Sequence, residues 1–367
     1  MPRSVLVSGA GIAGATLGFW LGRAGFDVTV VERATEQRSS GSPVDVRGAA
    51  VDVAEKMGVM PRLREAATGA QRLVFVGAGG APAATVRLSA FQGSAGDREL
   101  EIGRAELAAA LLDAMREHAR VRFGDSIAAL APDPGGVDVT FSGGSAGRFD
   151  LVVGADGLHS TVRRLVFGPE SQFVRHLGMY VATLPLAAYG GDDRDVVLYN
   201  TPGRVVGTHP AGGVVFMFRH AAVAGFSARD LPLHKQLVTA EFTGNSGVFA
   251  DAVDQVRKAG DLYCDAVSRV RLPQWSQGPV TLVGDAASCV SLFGDGSSNA
   301  MVGAHTLAEE LTTTPDDPAA ALLRYERRHR RVVERKQRGV RAAKAFLVPA
   351  TSAGIAVRNT ALRLLPG

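Results

Sequence analysis

The sequence predicts an α/β protein. A parallel, βαβ-built domain is assembled from both ends of the chain, with a mostly antiparallel β-sheet domain inserted in the middle and a helical segment at the C-terminus. Three observations predict it. The chain opens β-α-β over residues 1–33. Residues 170–270 change character, holding short strand candidates separated by Gly, Pro and Asp. Apolar strands at 149–153 and 279–283 each run into a Gly/Asp turn, and helical periodicity returns after the second of them.

The opening element is the most informative. Val5, Leu6 and Val7 lead into Gly9-x-Gly11-x-x-Gly14, a helical segment follows, and a second strand ends at Glu32. Gly9 permits the tight turn, Gly11 allows close approach of a pyrophosphate, and Gly14 lets the helix pack on the sheet. With Ile12 and Ala13, these glycines form a Rossmann-like dinucleotide turn, whose helix N-terminus offers free N–H groups to phosphate. Glu32 lies 32 − 14 = 18 residues past the last glycine, where an acid meets ribose hydroxyls. This segment alone leaves NAD(P) and FAD both open.

The remaining elements follow in order. Residues 34–48 are a polar loop, and 49–68 read as helix interrupted by Gly58 and Pro61. Strand candidates lie near 72–77 and 84–88. Leu107, Leu111, Leu112 and Met115 make one stripe of a helix over 104–116. Strands are expected at 137–141, 179–184, 196–199, 205–209 and 214–218, and helices over 300–311 and from 319 onward.

Bulk composition excludes several classes. Hydrophobic residues make up 46% and mean hydropathy is +0.09, which suits a sizeable core. The formal charge of +4 is spread out, without the concentrated basic face of a nucleic-acid binder. Two cysteines without a CxxC pair argue against a disulfide framework and for a reduced, cytoplasmic setting. A strand starting within the first residues leaves no room for a signal peptide, and no run reaches the roughly 20 apolar residues of a membrane span. No metal is expected.

Two further segments carry chemistry. One is Leu151 to Arg163, in which a strand ends at Asp156-Gly157 and Ser160 and Arg163 follow on a helix. An acid, a glycine, a hydroxyl and an arginine at this spacing suit sugar and phosphate contacts. The other is Val280 to Ser288, with Gly284-Asp285 at a strand end, continuing to Gly294-Asp295-Gly296-Ser297-Ser298-Asn299 and a helix. A carboxylate there can accept from ribitol or ribose hydroxyls. The new helix N-terminus can face an electron-rich ring.

Together the three segments resemble the class A flavoprotein monooxygenases, the para-hydroxybenzoate hydroxylase-like family, over nearly the whole chain and in the right order. The stretch from Arg38 to Arg47 is similar to the short tetracycline-modifying or aromatic polyketide hydroxylase branch. The resemblance implies a GR2-type FAD-binding domain in three parts, 1–72, 100–169 and 273–340. It also implies a substrate domain at 73–99 and 170–272, and a C-terminal helix over 341–367. It implies FAD bound non-covalently, NADPH or NADH and O2 as co-substrates, and oxygenation of an aromatic or polycyclic small molecule by way of a flavin C4a-hydroperoxide.

Residue by residue, the resemblance implies that Glu32 and Arg33 hold the ADP end of FAD, that Arg104 and Asp45 contact FAD, and that Asp285 holds the ribitol. Gly296, Ser297, Ser298 and Asn299 lie beside the isoalloxazine. Asp156 and Gly157 serve both FAD and NAD(P)H. Arg38 and Arg163 meet nicotinamide phosphates. Asp45 and Arg47 are the catalytic candidates, in a site whose chemistry centres on the flavin, and His209, Phe216 and Phe218 are pocket candidates. A monomer or homodimer is expected. The chain departs from the family after Gly284-Asp285-Ala-Ala, with Ser288-Cys289 where histidine and proline are usual, and it stops before a thioredoxin-like domain. The alternatives are an FAD-dependent dehydrogenase, reductase or oxidase on the same fold, and a non-catalytic flavin-fold binding protein.

Overall fold

A computed structural model describes residues 3–36, 42–91, 96–185, 194–289, 295–314 and 316–364. Arg38 lies outside the described residues, as does most of the atypical stretch after Cys289.

The first large sheet has six strands, in the spatial order Ser276–Gln277, Val280–Leu282, Leu151–Gly154, Ser4–Ser8, Asp27–Glu32 and Arg120–Phe123. All pair in parallel except the edge strand Ser276–Gln277. Its central strands are continuous apolar runs because both faces are covered: Val5, Leu6, Val7, Val152 and Val153 have no exposed surface. Helix Ile12–Arg23 packs against helices Arg104–Arg116 and Asp295–Thr313.

The second large sheet runs Tyr263–Val270, Val174–Leu184, Val214–Phe218, Arg204–Thr208, Asp195–Thr201, Arg72–Val76 and Pro82–Arg87. It is antiparallel except for the parallel pair Asp195–Thr201 with Arg72–Val76. Helices Leu231–Phe242 and Ala250–Lys258 cover one face. The sequence reading had only strands in this region. The Asp230-Leu231-Pro232 turn is in fact a helix start, where the Asp230 carboxylate accepts from the Leu233 amide and Pro232 occupies the first turn.

Other differences are local. The helix expected over 49–68 is two helices, Ala49–Lys56 and Met60–Glu65, broken at Gly58 with φ +74°. The strand expected over 149–153 is divided between two sheets: Phe149 ends Ala146–Phe149, and Leu151 begins the next strand.

A two-stranded ribbon, Pro43–Val46 against Leu100–Gly103, sets Asp45 opposite Glu101. The 30-residue helix Pro318–Leu347, about 45 Å long at 1.5 Å per residue, ties the two large sheets together. Tyr325 donates to the Leu282 carbonyl of the first sheet, and Lys344 donates to the Leu177 carbonyl of the second. Position 341, the expected start of the C-terminal helix, lies inside this element. A separate helix, Ser352–Arg363, docks through Leu362 and Arg358, whose guanidinium stacks 3.7 Å from the Phe75 ring centroid. Among the described residues no single helix is long and apolar enough to cross a membrane.

Candidate cofactor and active site

Strand order brings the three sequence motifs together. Ser4–Ser8, Leu151–Gly154 and Val280–Leu282 are neighbours in one sheet, and each ends in its motif on the same edge. A Cβ on Gly9, at φ +104°, would lie 2.6 Å from the Ala155 carbonyl oxygen, so the first two turns touch backbone to backbone. A Cβ on Gly284, at φ +63°, would come 2.8 Å from the Ala13 Cβ, so the third turn seats on the first helix. The carboxyl ends of parallel strands are where open α/β sheets hold ligands.

The glycines of the first turn divide their work. A Cβ on Gly14 would lie 1.9 Å from the Gly9 carbonyl oxygen, so this position is closed by packing. Gly11 has nothing within 4 Å and faces open space. It begins helix Ile12–Arg23 without a side-chain cap, leaving the first-turn amides turned outward. Glu32 braces the turn, accepting from the Ala10 amide at 3.0 Å and the Ala34 amide at 2.9 Å. Arg33 is exposed beside it.

The Asp156 carboxylate accepts from Ser160 Oγ at 2.5 Å and from the Thr161 and Val162 amides at 2.8 and 3.1 Å. It thereby supports the cap of helix Thr161–Val166, whose N-cap Ser160 accepts from the Arg163 amide, while burial lifts the Asp156 pKa above the usual carboxylate range. Arg163 is 0% exposed. Its guanidinium donates to the Leu158 and Ala286 carbonyls and meets Glu170 at 3.3 Å. The expected phosphate contact at Arg163 does not hold: its charge stitches the second motif to the third and has no solvent-facing surface.

At the third motif, burial raises the Asp285 carboxyl above its ordinary range, although Arg104 and a hydrogen bond from the Cys289 thiol pull it down. The Cys289 thiol, buried against Asp285, is pushed well above its ordinary value. Arg104 Nε is buried with no hydrogen-bond partner. Tyr263 joins this group. Burial raises its phenol, Asp265 adds to the rise and Arg104 opposes it. Tyr263 is not among the residues the sequence singles out, because the strand Tyr263–Val270 is not among the strands its pattern predicts.

The ribbon supplies the fourth side of the site. Ser297 and Ser298 Oγ donate to the Asp45 carbonyl at 2.6 and 2.7 Å, and the Arg47 amide donates to Ser298 Oγ at 3.0 Å. Asp45 and Arg47 are thus brought to the start of helix Asp295–Thr313, which also carries Gly296 and Asn299. Arg47 Nη2 lies 2.8 Å from Asp45 Oδ1, at an angle that leaves that oxygen without a hydrogen bond.

Burial lifts Asp45 to about 7. Arg47 opposes the rise, while Glu101, Asp295 and Glu99 add to it. Between the unperturbed 3.8 and about 7 the folded state holds a proton that the unfolded state has lost, so stability falls as pH rises through that window. Asp45→Asn should flatten this slope in thermal melts taken from about pH 4 to about pH 8. A wild-type slope in the variant would show that Asp45 is not its source.

Phe216 and Phe218 are corrected as pocket residues. Both are fully buried and pack on Phe242, with ring centroids 5.0 and 6.0 Å away, beneath the two covering helices. The pleat places Val215 and Met217 on the opposite face, in register with Thr183 and Val181, and Thr183 pairs with Tyr263. That face meets the ribbon's end, where Ser42 Oγ lies 2.9 Å from Thr183 Oγ1. His209 also faces the seam, its Nε2 lying 3.0 Å from Glu101 Oε2.

Comparison with known proteins fits this geometry. The FAD binding domain family matches residues 3–339. The chain belongs to that family. It is 36% identical to an uncharacterized protein of Mycobacterium tuberculosis, over 91% of this chain and 92% of that one. It is 31% identical to a flavin-dependent monooxygenase of Legionella longbeachae, covering 94% and 90% of the two chains. The crystal structure of tetracycline destructase Tet(55) superposes with a TM-score of 0.84 at 31% identity, covering 99% of this chain and 95% of that one. The protein is a flavoprotein oxidoreductase of the monooxygenase type. The residues present fit FAD: an open glycine face at Gly11, uncapped helix amides, and a buried unpartnered guanidinium nitrogen at Arg104 suit a polyanionic, hydroxyl-rich ligand.

Proposed function

We propose that the protein consumes NAD(P)H and O2 to insert one oxygen atom into an aromatic or polycyclic small molecule held between the two large sheets. One observation carries the reading: three strand-end turns converge on one edge, with the Gly11 face open and Arg104 Nε buried and unpartnered near Asp285. The tetracycline destructase likeness supports a polycyclic substrate class.

When bound, FAD supplies the redox chemistry, accepting reducing equivalents from NAD(P)H and activating O2. The chain's own residues do the rest. The Gly9–Gly14 turn and the first amides of helix Ile12–Arg23 hold the pyrophosphate. Glu32, already braced by two amides, offers its remaining lone pairs to ribose hydroxyls, and Arg33 lies at the adenine end. Asp156 and Gly157 shape the adjoining turn, and Asp285 accepts from the ribitol. Arg104 Nε donates to the same cofactor. Gly296, Ser297, Ser298 and Asn299 bring the positive end of helix Asp295–Thr313 to the ring edge, where it stabilises negative charge. Val181, Thr183, Val215, Met217 and Tyr263 form the substrate-facing wall. Asp45, able to hold a proton near neutral pH, handles protons there with Arg47 beside it.

Purified protein should be yellow, and oxygen from labelled O2 should enter the product of a phenol or polyketide panel with substrate-stimulated NAD(P)H loss. Reduction without label in the product would sink the monooxygenase reading. Asp285→Ala should weaken FAD retention on the order of tenfold, the loss of about one hydrogen bond to a charged group. Full occupancy in that variant contradicts the ribitol role.

A further inference from the structure

A second binding site lies at the seam. A cavity of about 640 Å³ opens between the ribbon and one end of the second sheet, within the size range of small-molecule pockets. Arg47, Arg72, Arg87 and Arg194 line it, with Glu99 and Glu101 as its acids. Both acids are committed to protein partners. Glu101 Oε2 accepts from Thr68 Oγ1 and meets His209 Nε2, each at 3.0 Å, and Glu99 Oε1 accepts from the Gly48 amide at 2.9 Å. Burial pushes the Glu101 carboxyl up, but the hydrogen bonds and charges of His209, Thr68 and Arg47 outweigh it and hold the group ionised and paired. Arg87 is exposed and makes no ion pair among the described residues. Arg47 pairs with Asp45 and Arg72 with Asp195, so the positive charge of the four-arginine, two-glutamate lining is least compensated at Arg87.

Its position gives that charge a purpose. Arg47 lines the cavity, and its amide holds Ser298 at the start of helix Asp295–Thr313. The wall is thus continuous with the segment assigned to the flavin ring. The dinucleotide turn at Gly9–Gly14 is taken by FAD, and Arg163 is buried among carbonyls. A visiting nicotinamide coenzyme needs other cations within reach of the ring. We propose that this cavity binds the phosphates of the nicotinamide coenzyme, with Arg87 and Arg194 as its contacts at the mouth and Arg47 at the inner wall. The inference rests on the NAD(P)H-dependent reading above.

The test uses FAD-loaded protein and isothermal calorimetry with NADP+, which needs no turnover. Arg87→Gln should weaken NADP+ about tenfold, the loss of about one charge-assisted contact. Arg87→Gln/Arg194→Gln should weaken it further. Arg331→Gln, on the exposed face of the long helix, controls for overall charge and should bind as wild type. FAD content and melting temperature should stay unchanged in all three. In turnover, the KM for NADPH should rise while that for the organic substrate stays within about twofold. NADP+ binding unchanged in the double variant overturns the inference, and so does a rise confined to the substrate KM, which would make the cavity a substrate site. Loaded protein that oxidises neither NADPH nor NADH overturns the functional reading itself. NADPH oxidation that persists with unaltered binding in the variants overturns the site alone.

Discussion

Gly11→Val yields a folded protein that no longer retains FAD. The backbone at Gly11, φ −74° and ψ −171°, is extended and open to any residue, and a Cβ there meets nothing within 4 Å. Apo-protein melts should match wild type within about 0.5 kcal/mol, as for a surface change. Flavin affinity should fall on the order of 100-fold, because the added methyls occupy the space of the pyrophosphate and cut it off from two or so amides. Gly14→Val should do the reverse in kind. Its Cβ would sit 1.9 Å from the Gly9 carbonyl, so the turn or the helix must move, costing several kcal/mol before any ligand is added. Flavin titration beside thermal melts separates the two. If Gly11→Val binds FAD normally, the open face is not the phosphate cradle.

Arg163→Leu should destabilise the protein by about 3 kcal/mol while leaving the KM for NAD(P)H alone in whatever fraction folds. Removing the guanidinium strands the buried Ala286 carbonyl, takes the donor from the half-buried Leu158 carbonyl and unties the second motif from the third. Urea melts read the first effect. Flavin content should drop with stability, since Ala286 follows Asp285 directly. A selective rise in the KM for NADPH with unchanged stability would restore Arg163 as a coenzyme contact. Arg163→Lys keeps a charge but loses the two-pronged reach, so it should recover only part of the stability.

The dinucleotide turn was legible because its requirements are local. A strand that is buried on both faces must be apolar, a residue at φ +104° against a carbonyl must be glycine, and a helix position whose Cβ would lie 1.9 Å from a backbone oxygen must lack one. The same holds for Gly284-Asp285, where φ is +63°. Strand 214–218 was legible as a strand, since Val214, Phe216 and Phe218 alternate with Val215 and Met217. Which side of it faces the site was not. The alternation is apolar on both sides, and of the helices Leu231–Phe242 and Ala250–Lys258 that cover the phenylalanine side, the first begins at a turn-like Asp-Leu-Pro. The pocket candidates Phe216 and Phe218 therefore fall on the helix-covered side of the strand.

By itself, then, the sequence determined the α/β architecture and the order of the three motifs, which follow from backbone conformation and hydrophobic period within a few residues, and the resemblance of those motifs to a known family implied the cofactor. Only the tertiary structure decided what each charged side chain is for. Arg163 and Ala286 are 123 positions apart, and Asp45 and Ser298 are 253 apart. Burial and partnership at such separations set whether an arginine stitches the core or meets a phosphate, and whether an aspartate is ionised at neutral pH. Neither leaves a trace in local pattern, because the energy of a buried charge depends on what the rest of the chain places around it.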